Sequence, residues 1–191
     1  MRMEVHVHGF IELVEGVSLR QVEGAMRPLL EYLDVEHLSE VQSLEPDQPG
    51  FTFGDHEYSL EMCCTLEVGR NFFTALESAM QALGVLVEAA TAIEVILYHE
   101  DGRDETQLMF VGPTPAAIRD AQRRRMVDDV SGLLARHFKP EAIDEVAKLI
   151  GELFRREQVQ TVSAVEPAPE PAADDGATVQ IPGIPGRHRL H

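Results

Sequence analysis

The chain has 191 residues, 44% of them hydrophobic and 26% charged, enough for one folded domain with appendages. Its 16 basic and 33 acidic side chains give a net charge of -17, which repels phosphate backbones and argues against nucleic-acid binding. No apolar run approaches the ~20 residues of a membrane-spanning helix, and the start of the chain does not read as a signal peptide, so no membrane role is expected.

The charge is unevenly spread. Residues 1–112 hold 5 basic and 21 acidic side chains, residues 113–157 hold 9 and 8, and residues 158–191 hold 2 and 4. Three regions follow from this: an acidic α+β body over 1–112, a near-neutral helical pair over 113–157, and a tail over 158–191. The two cysteines, Cys63 and Cys64, are adjacent and cannot form a disulfide framework, so a reducing cytoplasm is the simplest setting.

Residues 3 to 14 alternate as a half-buried strand, with Val5, Val7, Ile11 and Leu13 on one face and His6, His8 and Phe10 on the other. Gly9 interrupts the apolar face. Ser18 and Gln21 read as a capping box that opens a helix, within which Pro28 should kink or divide the chain. A short helical turn is expected in 35–50. Phe51–Phe53 and Tyr58–Val68 pair as a hairpin around Gly54-Asp55. Asn71 can cap a second helix that Gly84 ends, and strands follow near 90–98 and over 105–111.

Thr114 and Pro115 start a third helix reaching about residue 138. Pro140 starts a fourth after a junction of one residue near Lys139, giving an antiparallel helical hairpin or a sharp corner, with the pair packed on the body or on a partner subunit. From 158 the chain is rich in Pro, Ala and Glu, so 158–191 reads as disordered. Within it, Ile181 and Ile184 alternate with Pro and Gly ahead of Arg187 and Arg189, a candidate docking motif for a protein partner.

The order strand, helix, strand, strand, helix, strand matches a ferredoxin-like (split βαβ) antiparallel sheet with an extra strand, followed by the helical pair and the tail. In that fold the strands carrying His6 and His8 and carrying Glu61 and Cys63 are neighbours. Two imidazoles, a carboxylate and a thiolate would suit zinc or another divalent transition metal. No phosphate-binding loop, dinucleotide fingerprint or nucleophile elbow is present in the sequence, and no cofactor is expected from it.

Arg123, Arg124 and Arg125 are expected to pair with Asp120, Asp128 and Asp129 at helical spacing. The leading expectation is a non-enzymatic protein-binding or adaptor module. A particular version is a small acidic chaperone, homodimeric, with a partner that is basic or exposes an apolar segment. The alternative is a metal-binding protein, or a metal-dependent enzyme, built on the His-x-His strand face.

Overall fold

The computed structural model describes residues 3–99 and 102–163, with side chains through 156. Five strands form one sheet: β1 (Met3–Glu12), β2 (Gly50–Gly54), β3 (Ser59–Val68), β4 (Thr91–Tyr98) and β5 (Glu105–Val111). Their order is β2-β3-β1-β4-β5, and every neighbouring pair is antiparallel. Helix α1 (Leu19–Tyr32) joins β1 to β2, with a 3-10 turn at Leu38–Glu40 on the way, and α2 (Phe72–Leu83) joins β3 to β4. Strand β3 therefore lies between β1 and β2, and β1 lies between β3 and β4. Each of the two strand–helix–strand connections thus has a strand of the other between its own two strands, in an α+β sheet as the sequence pattern predicts.

The core sits between one face of this sheet and the two helices. Val5, Val7 and Ile11 of β1, Met62 and Cys64 of β3, and Ile93 and Val95 of β4 are fully buried. They join Val22, Met26 and Leu29 of α1 and Phe72, Leu76 and Leu83 of α2 in a single apolar cluster. The 2-residue period of the strands and the 3.6-residue period of the helices converge on that layer. Gly9 faces the same core. A Cβ there would lie 2.4 Å from Ile93 Cγ2, so the glycine lets β1 and β4 approach. Gly50 has φ +80° with the Val41 carbonyl oxygen 2.4 Å from where its Cβ would be, a position only glycine fills without strain.

Several local expectations are corrected. Helix α1 runs unbroken through Pro28. The carbonyl that Pro28 cannot bond belongs to Gly24, which is exposed and open to water. Gln21 accepts from the Ser18 backbone N–H at 3.0 Å, as a capping box requires. Strand β1 stops at Glu12, because Leu13 turns to bridge Val87 and donates to the Tyr58 carbonyl at 2.7 Å. Tyr58 lies in the turn at φ +46° rather than in β3. Asn71 occupies the N-cap position of α2 without a side-chain bond, and Gly84 ends that helix in the right-handed region.

Thr114 does cap the third helix, accepting from the Ala117 N–H at 3.1 Å. Helix α3 spans Pro115–Leu134 and α4 spans Pro140–Ser163. Phe138 thus lies in the five-residue junction between them, where a one-residue junction was expected. The helix also runs past 158, where a disordered tail was expected to begin, because the turns of α4 already in place propagate into Gln158–Ser163.

Within the unit that ends at Phe154, α3 contacts both β4 and β5. Among the described residues, no buried side-chain nitrogen or oxygen lacks a hydrogen-bond partner.

Candidate binding face

The sheet face opposite α1 and α2 carries the candidate residues, and the register fixes how they meet. Directly opposed residues of antiparallel strands project to the same side. His8 of β1 faces Cys63 of β3 and, on its other flank, Glu94 of β4. His6 faces Thr65 and Ile96, and Phe10 faces Glu61. Cys63 is thus brought beside His8, while Glu61 is carried to the next position along, against an aromatic ring. Among the described residues no group of three or more His, Cys, Asp or Glu side chains is placed to hold a metal ion. His6, His8, Glu61 and Cys63 therefore share one face without forming one ligand set. The physical reason is the alternation of the strands, which spaces them over successive cross-strand rows.

His6 and His8 stack with ring centroids 6.2 Å apart and an interplanar angle of 16°. His6 Nδ1 lies 3.0 Å from Thr65 Oγ1. Partial burial holds the His6 pKa below its ordinary value, and the neighbouring His8 adds to the shift.

Thr65, like Ser59 farther along β3, is buried on this face, and the segment before β2 folds over Thr65. Thr65 Oγ1 donates to Gln48 Oε1 at 2.9 Å, and Ser43 Oγ donates to the same oxygen at 2.6 Å. The Thr65 N–H donates to Ser43 Oγ at 2.8 Å, and Leu44 N–H donates to the Thr65 carbonyl at 2.8 Å. This polar chain from His6 to Ser43 closes one end of the face. It was not visible in the sequence of 35–50, where no periodicity marks which side chain turns inward. Both cysteines are free, Cys63 half-buried and Cys64 in the core, where burial pushes the Cys64 thiol up to about 11.

At the other side of the face, Glu94 accepts from Arg125 Nη2 of α3 at 2.9 Å. Arg125 also pairs with Asp129 at 3.1 Å, while Arg123 and Arg124 share Asp120. The run of three arginines is thus tied to α3's own carboxylates, and one of them clamps the helix to the sheet. The tie to Glu94 was missed, although the placing of Glu94 between Ile93 and Val95 marks it as facing away from the core. Between these ends the face is open. Phe10, on the central strand, is 52% exposed, with Glu61 opposite and Glu12 two residues along, both exposed. Tyr98 and Leu108 are also exposed. The docking motif expected at Ile181, Ile184, Arg187 and Arg189 lies outside the described residues.

These features define an acidic α+β protein with a five-stranded antiparallel sheet whose second face presents aromatic and carboxylate side chains together. The chain belongs to a family of unknown function, DUF6806, whose model matches residues 3–155. No curated protein and no solved structure matches it. None of the helices in the described residues is long and apolar enough to cross a membrane.

Proposed function

We propose that this protein is a non-enzymatic binding module of the reducing cytoplasm whose open sheet face receives a basic segment with apolar side chains from a protein partner. The observation that carries the reading is Phe10. A central strand needs no aromatic ring on its solvent side, and this ring is half-exposed beside Glu61 and Glu12. An apolar anchor flanked by carboxylates suits a segment that carries apolar side chains and the opposite charge. The body's -16 would speed the approach of such a segment and repel acidic competitors. The sequence around Ile181, Ile184, Arg187 and Arg189 serves in this reading as a separate docking motif, and the chain acts as an adaptor.

The test uses a fluorescent peptide of alternating Leu and Lys and the full chain. Binding measured by anisotropy should saturate and weaken as salt rises. Phe10→Ser should weaken it ~10-fold or more, as loss of an interface anchor does. Equal affinity for the wild type and for Phe10→Ser would remove the face from the binding surface.

A further inference from the structure

Strand β5 ends one side of the sheet, and no strand lies beside its outer edge among the described residues. Edge strands normally blunt such a template with charge, proline or a bulge. Strand β5 has an unbroken register with β4, no proline, and one charge, Glu105 at its start. Residues 106–118 are the longest stretch of the chain without Asp, Glu, Lys or Arg. Two cavities, of about 270 Å³ and 450 Å³, lie along this edge. The smaller is lined by Met109, which opposes the buried Ile93 and so points to the core face, and also by Leu108 and Phe110, which point the other way. A single cavity meets both sets only by wrapping round the free edge. Phe73 of α2 borders it on one side and Ile118 of α3 on the other, and the larger cavity continues past Val111 to Pro115. Glu77, exposed on α2, borders both and is the one charged side chain among their lining residues.

We infer that the outer edge of β5 is a strand-addition site, which receives an extended segment of a partner protein with apolar side chains at alternate positions and a basic residue beside them. The free N–H and C=O groups of an edge pair with another strand, and pockets beside the edge sort that strand's side chains. Two apolar cavities in succession take side chains two residues apart, which leave an added strand on one face. Charge selects a foreign segment. A second copy would bring one body of -16 against another, and its β5 has no basic residue to meet Glu77. The chain's own Ile181 and Ile184 are each followed by proline, which donates no ladder hydrogen bond. This surface is separate from the Phe10 face, and the inference stands whether or not that face binds.

The probe is a short fluorescent peptide of alternating Val and Thr with one Lys, mixed with the full chain at up to ~1 mM, the weak end of specific affinity. Anisotropy should saturate. Hydrogen exchange should slow at the β5 amides turned away from β4 and stay unchanged in β2, the other edge strand. Methylating alternate backbone nitrogens of the peptide removes ladder donors and should weaken binding ~10-fold or more. Glu77→Lys, an exposed site whose substitution leaves the fold intact, should weaken the Lys peptide ~10-fold and bind a Glu version of it better than the wild type does. Phe10→Ser should bind the Lys peptide as the wild type does. Absence of binding overturns the inference, and so does binding that leaves β5 exchange unchanged. If that binding is also lost in Phe10→Ser, the peptide sits on the Phe10 face instead. In the chain without peptide, outward β5 amides whose protection falls on dilution would make a second copy the occupant. Protection that falls in Ile181→Asp/Ile184→Asp would make the chain's own tail the occupant. Either result overturns the inference.

Discussion

Helices α1 and α2 are held by burial, whereas α3 and α4 are held mostly by themselves. In α1, five of 14 residues are buried, and in α2, five of 12. In the 20 residues of α3 only Ala121 is buried, and in α4, as far as its side chains are described, only Ile150. Isolated helices of ordinary composition are marginal in water, and most helical stability comes from packing. The first pair is therefore a structural necessity of the sheet. The second rests on its cap, on pairs such as Arg123–Asp120 and on the Arg125–Glu94 clamp. Exposed pairs of this kind each contribute under ~1 kcal/mol, so they orient α3 more than they stabilise it.

The largest test of this contrast is Leu76→Ala. It empties a fully buried site between α2 and the sheet and should cost ~2–5 kcal/mol in urea-induced unfolding. A loss under ~1 kcal/mol, the range of surface substitutions, would mean that the α2 layer is not the stabilising core.

The opposite sign is expected for Gly132→Ala. Gly132 lies within α3, and a Cβ there meets nothing within 4 Å. The substitution should strengthen the helix by ~0.5–1 kcal/mol. Hydrogen exchange should slow in α3 and stay unchanged in α1 and α2. Equal slowing in both pairs would show that the two regions open as one cooperative unit, and the distinction drawn here would fail.

The smallest effect is a pH dependence confined to the sheet. The folded-state pKa of His6 is lowered, so between that value and the ordinary 6.5 the unfolded chain binds more protons than the folded one. The stabilising contribution of neutral His6 is present above 6.5 and is lost as pH falls through the lowered value. The urea midpoint should drop between pH 7.5 and 5.5, and His6→Gln should reduce that drop. An undiminished drop in the variant would assign the dependence to another group.

The contrast between the helix pairs also explains what could be read from the sequence. Strands with one buried face alternate strictly, and β1, β3 and β4 stood out for that reason, as did the helical stripes of α1 and α2. The neighbouring of β1 and β3 followed from the element order. The row in which each side chain falls did not, because hairpin and crossover lengths set the register. Cys63 came to His8 while Glu61 went to Phe10, and Glu94 arrived from a strand not considered for the site. The roof over Thr65 was hidden because Ser43 and Gln48 belong to an aperiodic segment. The extent of α4 was underestimated because a helix carries through a stretch whose composition alone suggests a loop.

The place of β1 at the middle of the sheet has a consequence for how the chain is made. This strand pairs on one side with β3 and on the other with β4, whose last residue is Tyr98. During translation the first strand must wait for ~85 further residues before its second flank can be closed, on the order of ten seconds at ~5–20 residues per second. Through that interval Val5, Val7 and Ile11 have no completed layer to enter, and the bare flank of β1 is a template for unwanted pairing. The protein is thus most vulnerable on the ribosome, before β4 emerges, and codon-level changes that slow synthesis between Val68 and Tyr98 would lengthen that exposure without altering a single side chain.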